Sequence, residues 1–112
     1  MELIISGKDF KLTPSLKTYV TQKVGKLGRY WAKVARARVE LDVDHNQKSG
    51  DLYRVEVWLN VPGADIALGA KAADIHAAID LVVPKLERQI VKLKGKHEAQ
   101  ARRDRKVRRG LK

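Results

Sequence analysis

Arg36-Ala37-Arg38-Val39-Glu40-Leu41-Asp42-Val43-Asp44 alternates without a slip: every odd position is apolar and every even position charged. A period of two is the signature of a strand with one dry face and one wet face. The pattern returns twice downstream. Tyr53, Val55, Val57, Leu59 and Val61 alternate with Arg54, Glu56, Trp58 and Asn60. After Pro62-Gly63, a pair that makes a tight turn, Ile66, Leu68, Ala70 and Ala72 carry the alternation onward. Residues 45–51 read as a polar loop between the first two strands. Three strands on short connections form an antiparallel meander.

Working outward, the period changes. Upstream, Leu16, Val20, Val24, Leu27 and Trp31 lie on one narrow stripe of a helix. Thr13 caps its start and Pro14 fits its first turn. This predicts a helix from about Pro14 to Tyr30, although Gly25 and Gly28 each cost about 1 kcal/mol relative to Ala. Before it, Leu3-Ile4-Ile5 reads as a short strand stopped by Ser6-Gly7. Downstream, Ile75, Ile79, Val82, Val83, Leu86, Ile90 and Leu93 follow helical spacing, with Asp74 as the N-cap. Pro84 removes one hydrogen bond, yet the stripe keeps its phase across it, so one bent helix is expected rather than two. The order β-α-β-β-β-α predicts an α+β two-layer sandwich: a four-stranded sheet with both helices on one face. The first two strands, joined through a helix, should run parallel.

The chain has 112 residues, one domain by size, and it carries 24 Lys+Arg against 13 Asp+Glu, a net charge of +11. That excess points to a polyanion. The charge is uneven: residues 1–35 carry net +5, residues 36–72 net −1 and residues 73–112 net +7. The meander is therefore not the polyanion surface. With no cysteine, thiolate zinc sites, disulfides and cysteine nucleophiles are excluded. His45, His76 and His97 show no metal-ligand spacing, and no Gly-rich phosphate loop or nucleophile motif is present. The chain reads as a binding protein and not an enzyme, without cofactor or metal. No stretch has the form of a membrane span or signal peptide, which suits a cytoplasmic protein.

Helical wheels gather the cations. Lys23, Lys26, Arg29 and Lys33 share a sector of about 120° on the first helix, with Tyr19 and Tyr30 in it. Lys85, Arg88, Lys92 and Lys96 share about 80° on the second. With the helices side by side, these flanks are expected to merge into one surface for closely spaced RNA phosphates. Residues 98–112, with Arg102, Arg103, Arg105, Lys106, Arg108 and Arg109, have almost no apolar content and are expected to form a flexible basic tail that adds to it. A solvated charged face is the plainer reading of any single lysine. The sectors stand out because few acids balance them, Glu87 being the nearest. Trp58, on the wet face of the sheet, is left without a role, while Trp31 belongs to the core.

The stretch Asp74-Ile75-His76-Ala77-Ala78-Ile79-Asp80, followed by Lys85-Leu86-Glu87-Arg88-Gln89, resembles the signature of the bacterial ribosome hibernation-promoting factors, the ribosome-associated inhibitor family also labelled as sigma-54 modulation proteins. Thr13-Pro14-Ser15-Leu16, Lys23-Val24-Gly25-Lys26-Leu27 and Tyr30 resemble that family's opening helix. The similarity covers residues 1 to about 97. It implies a fold like that of double-stranded RNA-binding domains, and docking on ribosomal RNA in the decoding region of the small ribosomal subunit, where messenger and transfer RNA bind. The contacts it implies are Lys23, Lys26, Lys85, Arg88 and Lys92, with Arg29 and Lys33 beside them. Asp74, Asp80 and Gln89 match the motif. His76 stands where the family has Tyr, and Pro84 where an acidic residue is common. The absence of the C-terminal domain of longer members makes the expectation a short-type factor, monomeric when free. The alternatives are a general RNA- or DNA-binding module and a regulatory protein-interaction domain.

Overall fold

The alternating stretch forms strand β2, Arg36–Asp44. A computed structural model of the chain describes residues 1–45 and 50–110, with side chains as far as Arg105. The remaining elements are β1 (Glu2–Lys8), α1 (Pro14–Gly25), α2 (Leu27–Tyr30), β3 (Leu52–Val61), β4 (Ala64–Ala72) and α3 (Ile75–Gly110). The sheet order is β1-β2-β3-β4. β1 runs parallel to β2, and β2, β3 and β4 are antiparallel in sequence. The predicted β-α-β-β-β-α sandwich is the fold observed.

One face of the sheet is dry. Val39, Leu41, Val55, Val57 and Leu59 pack there against Val20, Val24, Leu27, Ile79, Leu86 and Ile90 from the helices, all fully buried. Trp31 joins this core. The other face carries the even-numbered, mostly charged residues of β2 and β3, open to solvent.

The local rules hold at the element ends. The Leu16 N–H donates to Thr13 Oγ1 at 3.1 Å, with Pro14 in the first turn of α1. The Ala77 N–H donates to the Asp74 carboxylate at 3.2 Å, capping α3. Pro62 and Gly63 form the β3–β4 turn, where Gly63 has φ +78°, a conformation that favours glycine. α3 passes through Pro84 unbroken. Pro84 is exposed, so the Asp80 carbonyl it deprives of a partner is on the side open to water.

Three expectations are corrected. The first strand does not stop at Ser6-Gly7 but continues to Lys8. Gly7 is there for space: a methyl group on it would collide with the backbone carbonyl oxygen of Phe10. Because that carbonyl cannot swing aside as a side chain would, Gly7→Ala should destabilise the fold by about 1–3 kcal/mol, measured by urea denaturation. The predicted helix over 14–30 is two segments. α1 ends at Gly25, and Lys26 keeps right-handed helical angles (φ −60°, ψ −24°) as the chain enters α2. Finally, the second helix does not give way to a tail after its apolar stripe. It runs to Gly110, a 36-residue helix, and by the usual rise per residue about 54 Å long. Its apolar stripe stops at Leu93, but Lys, Glu, Ala, Gln and Arg are strong helix formers and carry the rod onward.

A candidate RNA interface on two basic helices

Tyr19 ties α1 to one side of α3. Its hydroxyl donates to the Asp80 carboxylate at 2.5 Å, and its ring meets His76 edge to face at 4.7 Å. The Asp74 carboxylate is 3.6 Å from His76 Nδ1. The hydrogen bond to Asp80, then burial, then the charges of Asp80 and Asp74 push the Tyr19 phenol up to about 12. An acid whose pKa is raised on folding stabilises the fold below its unfolded pKa and loses that contribution as pH climbs through the folded value. Between about pH 10 and 12, therefore, the chain should lose stability relative to a Tyr19→Phe variant, which has no phenol to ionise. Thermal unfolding of both proteins across that window checks this.

At the far end the two helical layers meet again. Lys94 Nζ donates to the Tyr30 carbonyl at 3.1 Å, placing a cation at the C-terminus of α2. Lys33 Nζ lies 3.2 Å from His97 Nε2, and the His97 ring is tilted against Trp31 at 5.6 Å. Lys94 is thus a structural clamp that the sequence did not single out.

The expected cations whose side chains are described are all accessible. Lys26, Arg29, Lys33, Lys85, Arg88, Lys92, Lys96, Arg102, Arg103 and Arg105 are exposed and Lys23 is half-exposed. The side chains of Lys106, Arg108 and Arg109 lie outside the described residues. Among the described residues, none of these cations forms an ion pair with a carboxylate. Lys23 Nζ sits 5.5 Å from the Tyr19 ring centroid, a cation–π contact that leans it toward α3. With Lys26 and Arg29 it lines a shallow depression floored by Gly25.

The two sectors do not meet flank to flank. Asp80 faces α1, and Glu87 follows it at i+7 on the same side of α3. Lys85 turns the other way, to the β4 edge, and Lys92 and Lys96 follow it at i+7 and i+11. Arg88 stands on the crest between. The basic surface therefore crosses the crest of α3 and continues along the arm of that helix.

Among the described residues, no group of His, Asp and Glu is arranged to hold a metal ion. Among the same residues, no helix is long and apolar enough to cross a membrane. Such a surface can neutralise phosphates.

Comparison with known proteins gives the same direction. Residues 3–98 match the family described as sigma 54 modulation protein / S30EA ribosomal protein. The chain is 34% identical over 96 residues to the ribosome hibernation promoting factor of Escherichia coli strain K12, covering 86% of this chain and 96% of that protein. It is 38% identical over 96 residues to the ribosome hibernation promotion factor of Deinococcus radiodurans, where 86% of this chain corresponds to only 50% of the relative, so it spans half that protein's length. The crystal structure of the Thermus thermophilus protein Y N-terminal domain superposes with a TM-score of 0.73 at 28% identity, over 83% of this chain and 99% of that one.

Proposed function

The chain belongs to the sigma 54 modulation protein / S30EA ribosomal protein family, and from that premise we propose that it silences translation by seating its helical layer on ribosomal RNA in the decoding region of the small subunit. The action is steric. Lys23, Lys26, Arg29 and Lys33 on the α1–α2 side, and Lys85, Arg88, Lys92 and Lys96 on α3, neutralise phosphates while the body of the domain fills space that messenger and transfer RNA need. No cofactor enters and no bond changes. The protein acts in the cytoplasm as a monomer until it meets a ribosome. Residues 1–97 are the ribosome-binding unit and residues 98–112 the basic arm.

The observation that carries this reading is the row of exposed cations on α3, unpaired by any carboxylate among the described residues, in a chain whose relatives are named ribosome hibernation factors. The test is sucrose-gradient sedimentation of a stationary-phase lysate. The protein should migrate with small subunits or whole ribosomes. If it stays at the top of the gradient, the reading fails.

A further inference from the structure

The strongest feature without a role lies on the other side of the sheet. The strand register sets Ile4, Arg38, Trp58 and Ala67 in one row across the open face, and Ser6, Glu40, Glu56 and Gly69 in the next. The Arg38 guanidinium lies 4.3 Å from the Trp58 ring centroid, covering the indole from the β2 side. On the β4 side the neighbours are Ala67 and Gly69, which cover nothing. The result is a groove of about 600 Å³ at the β4 edge, lined by Arg54, Glu56 and Trp58, by residues 67–71, and by Lys85 from α3. Gly69 keeps it open: a Cβ there would stand 3.1 Å from the Val55 carbonyl oxygen and 3.5 Å from Glu56 Cγ.

The lining has a definite chemistry. Trp58 offers a flat aromatic wall. Arg54 is held by Asp42 at 2.8 Å, but Lys71 and Lys85 are exposed, with no ion pair among the described residues. Glu56 likewise has no cation partner among the described residues, and it faces Glu40 directly across the β2–β3 ladder, outside the groove. Like charges directly opposite each other are unfavourable, and N–H donors delivered to Glu56 relieve that. The groove thus joins an aromatic stacking wall, one carboxylate acceptor and two free cations at the rim. Its volume falls within the range of small-ligand pockets.

We propose that this groove is a guanine-nucleotide subsite for single-stranded RNA. The base stacks on Trp58. Its ring N–H and exocyclic amino group donate side by side to the two oxygens of Glu56, which adenine cannot do because its corresponding ring nitrogen is an acceptor. The flanking phosphates rest on Lys71 and Lys85, and from Lys85 the strand can follow Lys92 and Lys96 along α3. This subsite shares Lys85, Lys92 and Lys96 with the decoding-region reading but does not depend on it, since it concerns the isolated protein and a short strand.

The test uses the full chain and its own fluorescence. Trp31 is 5% exposed, so quenching by a ligand reports Trp58. Titration with the pentanucleotide U-U-G-U-U should give saturable quenching, at least about tenfold tighter than U-U-A-U-U, and GMP alone should bind more weakly than the strand. Glu56→Gln should erase the preference for G over A while leaving the circular-dichroism spectrum unchanged. Trp58→Leu, followed by anisotropy of a labelled strand, should lower affinity at least about tenfold. Four results would each overturn the proposal: no quenching by either strand, equal affinity for G and A, GMP binding as tightly as the pentanucleotide, or an unchanged affinity in Trp58→Leu. The last would leave the β4 edge to an extended peptide instead.

Discussion

Replacing Lys85, Arg88 and Lys92 together by glutamate should abolish inhibition in an in-vitro translation assay while leaving the fold intact. All three are exposed and unpaired among the described residues. Exposed substitutions of this kind change stability by within about 0.5 kcal/mol, and Glu is as good a helix former as Lys. Binding is another matter. A hydrogen bond to a charged group is worth about 1.5–3 kcal/mol, so three lost contacts correspond to more than about a thousandfold in affinity. The salt dependence should also flatten, the slope of log affinity against log salt falling by roughly one for each contact removed. Undiminished inhibition would exclude this part of α3 from the interface.

The second large effect is on folding. Leu86 is fully buried on α3, among the side chains that hold that helix to the sheet. Leu86→Ala should cost about 2–5 kcal/mol through lost transfer energy and the cavity left behind. Against a total of roughly 5–15 kcal/mol for a natural domain, that is a large share. The same variant loosens the platform that carries Lys85 and Arg88. Inhibition should therefore fall when assayed near its lowered midpoint and recover on cooling, which separates it from the triple charge reversal. Urea denaturation gives the first number, and translation assays at two temperatures give the second.

Part of this architecture was legible in the amino-acid sequence alone. The sheet was legible because Arg36–Asp44 alternates without a slip and residues 53–61 break the alternation only at Trp58, and a half-buried strand leaves no other reading of that period. The core face of α3 was legible through Pro84 because the apolar phase did not break there. The end of α3 was not. An amphipathic stripe marks where a helix is packed, and the stripe ends at Leu93, whereas backbone propensity alone continues the helix. Within the candidate site, exposure of the cations followed from composition and spacing. Their sidedness did not, because it rests on a contact between Tyr19 and Asp80, residues 61 positions apart. The groove at Trp58 was hidden for a related reason: only the β3–β4 register reveals that its neighbours are Ala67 and Gly69.

The length of α3 has one more consequence. The molecule measures 66 Å along its longest axis but only 28 and 18 Å across, and the excess is helix that has left the sheet behind. The described side chains from Glu98 to Arg105 take no place in the hydrophobic core. Substitution there is free of the packing constraints that bind the core face of α3 up to Leu93. Mutational drift can therefore rewrite the reach and charge of the arm while the domain beneath it stays folded. Affinity can be tuned there in small, nearly independent steps, each altering what is touched without altering what is built.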